Sequence, residues 1–154
     1  MRDQKAFLIG AITFFVIGSA TAQAEDLTKC ASRTDLAGPC YKVHGRLSIW
    51  DGSPPERVWI IGTKRILGVS TPYSASDLGA SEQPVMPKIV SDQFRNSGTQ
   101  IYADFVVCPF EKDIPGHMRN VCIESAKNIL VEDNEWIDNK NRTTYIRVPD
   151  ASTN

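Results

Sequence analysis

The chain has 154 residues, a formal net charge of −1 and 42% hydrophobic residues. That length suits a single domain with its own core. The near-neutral charge makes a nucleic-acid partner unlikely, because a general nucleic-acid binder carries a strong excess of basic residues.

The first 24 residues have the pattern of a secretory signal peptide. Arg2 and Lys5 precede an apolar run over residues 6–20, and the motif Ala-Gln-Ala at residues 22–24 is a typical cleavage site. The apolar run is shorter than the roughly 20 residues of a membrane-spanning helix. We therefore expect an exported protein, periplasmic or extracellular, whose mature chain has no membrane span.

Alternating apolar and polar residues predict strands through the middle of the chain. Residues 41–50 alternate strictly, with Val43, Gly45 and Leu47 in the apolar phase. The glycine inside this strand indicates a bend or a bulge. Further strands are predicted at residues 57–62, 64–69, 100–108 and from 120 onward, and residues 143–148 are a candidate edge strand.

A loop over residues 70–87 separates the third strand from a short helix predicted at residues 87–96. Three strands, a helix and two strands are the succession of a small five-stranded, partly open barrel of the OB type, mainly all-β. An immunoglobulin-like sandwich needs about seven strands, which is more than we predict. The chain then divides into the signal peptide 1–24, an N-terminal segment 25–40 tied by a disulfide, the barrel 41–131 and a polar C-terminal tail 132–154.

The four cysteines, Cys30, Cys40, Cys108 and Cys122, all follow the predicted cleavage site. An even number of cysteines in an oxidising compartment predicts two disulfides. Cys108 and Cys122 flank a Pro-Gly turn and fall on the same face of their strands, so a hairpin places them opposite each other. We expect this pair to be bonded and Cys30 to pair with Cys40, while the crossed pairings remain open.

A metal-handling protein is an alternative interpretation of the same hairpin, with Cys108, His117 and Cys122 as ligands. Their spacing matches no common zinc pattern, and an oxidising compartment favours disulfides over thiolates. We therefore predict neither a metal site nor a cofactor.

A basic stripe on the polar phase of the first strand is the candidate binding face. Lys42, His44 and Arg46 could hold an anionic sugar, a phosphate or a nucleic acid, with Trp50 or Trp59 as a stacking platform. One-sided charge is also what the solvated exterior of a half-buried strand normally carries. The predicted function is a non-enzymatic module that binds an unidentified envelope ligand or protein.

An envelope-polysaccharide hydrolase is the second alternative. Asp104 and Glu124 share one face of the predicted hairpin at a diagonal separation of about 7–8 Å, which is compatible with an acid/base carboxylate pair. A serine nucleophile with His44 or His117 lacks any nucleophile-elbow motif. Surface carboxylates are common on sheets, so we assign no catalytic residue.

Two segments, VHGRLSIWDGSPPERVWIIGTKRILGV at residues 43–69 and ADFVVCPFEKDIPGHMRNVCIESAKN at residues 103–128, resemble a group of small exported bacterial proteins of unassigned activity. The resemblance implies an exported β-rich domain and supplies no catalytic residues.

Overall fold

The structure is a computed structural model that describes residues 30–70, 85–137 and 139–150. The predicted signal peptide and most of the predicted loop before the helix lie outside these ranges. Six strands lie within them: β1 Tyr41–Ile49, β2 Glu56–Ile60, β3 Ile66–Val69, β4 Gln100–Pro109, β5 Arg119–Ile137 and β6 Lys140–Arg147. The helix α1 spans Lys88–Ser91, and a 3₁₀ turn spans Cys30–Ser32.

The strands form one sheet that closes on itself. Neighbouring strands pair antiparallel in the order β3-β2-β1-β4-β5-β6. In addition, β3 pairs with β5 in parallel, from Leu67 opposite Arg119 to Val69 opposite Val121. The first five strands therefore make a ring, and β6 extends the sheet beyond it. This is the connectivity of the OB type, with its short helix between strands three and four, so the predicted fold class is confirmed.

The core fills the interior of the ring because alternate residues of each strand point inward. On β1 and β4 these are the apolar phases that the alternation predicted. The largest fully buried side chains are Leu47, Val58, Leu67, Val69, Val90, Ile101, Phe105, Val107, Val121, Ile123, Ile129 and Val131. Such close packing leaves no room at Gly45, where an added Cβ would lie 2.5 Å from Cγ1 of Val58.

The short helix covers part of this core. Val90 is fully buried, and Ile89 and Phe94 pack against the same cluster. Pro87 precedes the helix in an extended conformation, as expected for a residue at the helix start. The α-helix proper ends at Ser91, before the end of the predicted span, and a loop continues to β4.

A buried carboxylate anchors that loop to β5. Asp133 is 1% exposed, and its Oδ1 accepts hydrogen bonds from Asn96 Nδ2 at 3.0 Å and from Thr99 Oγ1 at 3.1 Å. The Thr99 hydroxyl in turn accepts from the backbone N–H groups of Arg95 and Asn96. The loop is thus tied to the far half of β5 through one side chain.

Two bulges in β5 change which of its residues face β4. Val106 pairs with Ser125 and Val107 with Ile123, so Glu124 is an extra residue with no partner on β4. The prediction that Val106 would face Glu124 is therefore wrong. It assumed strict alternation through a position where the strand gains a residue.

The second bulge lies at Asn128, whose φ of 55° is in the left-handed region that asparagine tolerates. Tyr102 pairs with Leu130, and Asp104 pairs with Lys127. The pairing therefore advances two residues on β4 and three residues on β5, so β5 contains one extra residue here. Asp104 consequently faces a lysine rather than a second carboxylate.

The two disulfides join the N-terminal segment to the sheet: Cys30 is bonded to Cys122 and Cys40 to Cys108. Cys108 and Cys122 do lie opposite each other, as predicted. The expected bonds within the hairpin and within residues 30–40 are nevertheless wrong. The N-terminal segment packs on the hairpin and brings the Cys30 sulfur within 4.8 Å of the sulfur atoms of Cys108 and Cys122.

The segment that the sequence assigned to a polar tail contains the end of β5 and all of β6. The candidate edge strand pairs with β5 from Leu130 with Arg147 to Ile137 with Lys140. Within the described ranges, no helix is long and apolar enough to cross a membrane.

Candidate ligand site on the outer face of the sheet

A cavity of about 430 Å³ opens on the outer face of β1, β4 and β5. Its volume is within the range of small-molecule sites. Val106 on β4 lies between the side chains that β1 and β5 contribute. The lining residues are Lys42, Val43, His44, Asp104, Val106, Ser125, Lys127 and Asn128.

Asp104 is held by neighbours on both sides. His44 lies directly across from it on β1, and the ring Nδ1 is 2.8 Å from Asp104 Oδ1. On β5, Asn128 Nδ2 donates to Asp104 Oδ2 at 2.6 Å. The backbone N–H of Asn128 donates to the carboxylate of Asp150, so the bulge that carries this amide is itself fixed.

These contacts set the charge of the site. The Asn128 amide and then the His44 ring hold the pKa of Asp104 below its usual range. The carboxylate is therefore ionised at neutral pH and accepts the proton of His44 Nδ1. Lys42 and Lys127 add two ammonium groups, so one anion and at least two cations meet at the cavity.

The predicted binding face is only partly brought together. Lys42 and His44 line the cavity, whereas Arg46 does not and instead lies 5.1 Å from the ring centroid of Trp59, its partner on β2. Trp50 follows the end of β1, is half exposed and does not line the cavity.

A hydrogen-bonded pair of side chains, Tyr102 and Glu132, lies beyond the cavity on the same face of the sheet. Tyr102 lies across from Arg46, and its hydroxyl donates to Glu132 Oε2 at 3.1 Å. Burial raises the pKa of Tyr102, which keeps its proton available for this bond. Glu132 also accepts from Asn134 Nδ2 at 3.0 Å.

Sequence reasoning missed Ser125, Lys127 and Asn128 as residues of the site. A signal was present, because the alternate positions that are apolar at Val121, Ile123 and Ile129 carry the polar residues Ser125 and Lys127 in between. Such interruptions indicate bulges, and bulges often re-aim side chains at functional surfaces.

The arrangement does not reproduce the catalytic pairs considered from the sequence. Glu124 does not line the cavity, and its carboxylate accepts the backbone N–H of Ala31 at 2.8 Å. Ser125 lies on β5 and His44 on β1, with β4 between them, and Ser125 is level with Lys42 rather than with His44. Because neighbouring strands are about 4.8 Å apart, two such spacings place the serine hydroxyl beyond hydrogen-bond reach of the imidazole.

The three hairpin residues considered as metal ligands, Cys108, His117 and Cys122, are not arranged as a metal site. Both cysteines of the hairpin are in disulfides, and His117 is exposed in the turn between β4 and β5.

No family model, curated protein or solved structure matches the chain. The fold and the cavity therefore define it as a small disulfide-bonded β domain with a ligand-sized site on its outer face.

Proposed function

We propose that this protein is an exported, non-enzymatic binding module that holds an anionic ligand in the cavity on β1, β4 and β5. The observation that carries the proposal is the convergence of Lys42, His44 and Lys127 around Val106. The two ammonium groups attract a carboxylate or phosphate, and the valine offers a small apolar surface to the body of the ligand.

Asp104 offsets only part of the positive charge of the site, because two ammonium groups face one carboxylate. One of its oxygens accepts from His44 and the other from Asn128, so the carboxylate also holds these two groups in place. The remaining acceptor capacity of the carboxylate suits a ligand that brings hydroxyl donors as well as a negative charge.

Two features support export. The first 24 residues carry the signal-peptide pattern, and the chain has four cysteines in two disulfides, which persist in oxidising compartments. The periplasm and the extracellular medium both meet this condition. The resemblance to small exported bacterial proteins agrees with it.

Charge reversal in the cavity tests the proposal. Calorimetric titration with D-galacturonate should give saturable binding to the mature protein, and neutral galactose should bind less tightly. Lys42→Glu and Lys127→Glu should each lower the affinity for galacturonate about tenfold or more, because each turns an attraction into a repulsion.

Lys64→Glu is the matched control, since Lys64 is exposed in the turn between β2 and β3 and does not line the cavity. This variant should bind like the wild type. Galacturonate that does not bind the wild type, or an equal loss in all three variants, would rule out this cavity as the site.

A further inference from the structure

We infer that the ligand is a linear acidic polysaccharide, which lies along the outer face from the cavity to the β5–β6 hairpin and stacks there on Tyr145 and Trp136. The inference rests on the proposed function, because it takes the cavity as the point that binds one acidic sugar. It adds the polymeric nature of the ligand and a second contact region.

The outer face is continuous from the cavity to the hairpin. Along β5 the residues that follow Lys127 on this face are Leu130, Glu132, Asn134 and Trp136, since side chains alternate between faces. From Lys127 to Trp136 the face runs roughly 26 Å, at about 3.3 Å for each of the eight residues that remain when the extra residue of the Asn128 bulge is left out. That length accommodates several sugar units of an extended chain.

Two exposed aromatic rings lie at the far end of this face. The side chains of Trp136 and Tyr145 are 72% and 64% exposed. Tyr145 lies across from Glu132, and Trp136 is in the same phase as Glu132, so both rings stand on the face that carries the cavity. Aromatic rings present a flat apolar surface that packs well against planar or ring-shaped ligands.

The groups between the two rings are polar and ordered. Asn134 and Thr143 face each other between them, and the Thr143 hydroxyl donates to Asn134 Oδ1 at 2.6 Å. Amides and hydroxyls are suitable partners for sugar hydroxyls. Aromatic rings that alternate with such groups suit a carbohydrate better than an apolar protein surface.

The charge of the face favours an acidic chain. Asp104 and Glu132 both accept hydrogen bonds from neighbouring side chains. No ion pair within the described ranges involves Lys42, Lys127 or Arg147, although the charge of Lys42 also acts on Asp104. These three cations are therefore available to a ligand.

The same charges favour a polysaccharide over a nucleic acid. The two carboxylates lie among the cations, where they can accept hydrogen bonds from the several hydroxyl groups of each sugar unit, donors that a nucleic-acid backbone largely lacks. The net charge of −1 likewise lacks the basic excess of a nucleic-acid binder.

Chain length and the hairpin aromatics provide the test. In calorimetric titrations of the mature protein, an oligogalacturonate that spans the face should bind at least tenfold tighter than galacturonate. Trp136→Ala and Tyr145→Ala should each remove most of this gain and leave the affinity for galacturonate unchanged. Both side chains are exposed, so the thermal midpoint of each variant should match the wild type.

Trp50→Ala is the control, because this tryptophan is 50% exposed but lies outside the hairpin. It should change neither affinity. The inference is overturned if the oligomer binds no tighter than the monomer, if the control loses the gain equally, or if a single-stranded oligonucleotide of similar length competes as well. Sedimentation that shows a dimer broken by Trp136→Ala would also overturn it, because a second copy would then cover the face.

The failure of the underlying proposal has a different signature. If neither galacturonate nor the oligomer binds, or if Lys42→Glu affects neither, the cavity is not a ligand site at all. If Lys42→Glu weakens binding while the hairpin variants do not, the cavity remains and only the extended face is wrong.

Discussion

At the scale of single residues, Asp104 connects the strands that form the site. It is one carboxylate on an outer face, but it positions an imidazole from β1 and an amide from β5. Because Asp104 stands on β4 between these two strands, its ionisation state decides whether the three groups remain in contact.

The pH dependence of this contact follows from the lowered pKa of Asp104. The folded-state pKa lies below 3.8, the value of an unperturbed aspartate. The stabilisation from its hydrogen bonds is therefore present above pH 3.8 and is lost as the pH falls through the folded-state pKa. A ¹³C NMR titration of the carboxyl group should give a midpoint below 3.8 in the wild type.

Asn128→Ala should move that midpoint upward, because the Asn128 amide is the largest cause of the shift. Asn134→Ala, which removes an amide that does not touch Asp104, should not move it. A wild-type midpoint at or above 3.8 would show that the hydrogen bonds of His44 and Asn128 to Asp104 do not form in solution.

At the scale of elements, β1 and β4 were predicted closely and β5 was not. Strict alternation on β1 and β4 identifies both the strand and its buried face, since each side chain either enters the core or leaves it. On β5 the bulges at Glu124 and Asn128 break that rule, so the sequence gives neither the register nor the residues that line the cavity. The candidate site was therefore predicted only on its β1 side, at Lys42 and His44.

Asp133 is another element-level feature that the sequence does not reveal. An acidic residue in the second half of a strand is usually solvated, and nothing local indicates that a loop 34 to 37 residues earlier supplies its donors. Only the closed sheet brings the two segments together. The alternation rule places the side chain inward but cannot say which groups it meets.

Removal of this carboxylate should loosen the loop. Asp133→Ala leaves the Asn96 amide and the buried Thr99 hydroxyl without their acceptor, which should lower the free energy of unfolding by roughly 2–4 kcal/mol. Urea denaturation followed by tryptophan fluorescence measures the change. Glu135→Ala, an exposed acidic residue on the same strand, should change it by less than about 0.5 kcal/mol. Equal effects would mean that the buried hydrogen bonds contribute little.

At the scale of the whole molecule, the disulfides connect distant parts of the chain. They link residues 92 and 68 positions apart, where the sequence favoured two short loops. In the chain-entropy model, closing loops of this length stabilises the fold by about 4–5 kcal/mol for each bond taken alone. The hairpin geometry predicted from the turn was sound, but it could not reveal that a third segment packs on the same sulfur atoms.

A tryptic digest under non-reducing conditions checks the connectivity, because trypsin separates all four cysteines. The expected products are residues 30–33 linked to 120–127 and residues 34–42 linked to 96–112. A product that joins residues 30–33 to 34–42 would instead establish the pairing of Cys30 with Cys40. The double substitution Cys40→Ala and Cys108→Ala should lower the free energy of unfolding by about 2–5 kcal/mol.

The nested, long-range disulfides have a consequence for biosynthesis. In a polypeptide threaded N-terminus first into an oxidising compartment, Cys30 and Cys40 meet an oxidant long before their true partners on β4 and β5 emerge. A premature bond between neighbours must then be broken and reshuffled by thiol–disulfide exchange. Recombinant yield should accordingly depend on a disulfide isomerase, and a secretion host without one should accumulate scrambled isomers.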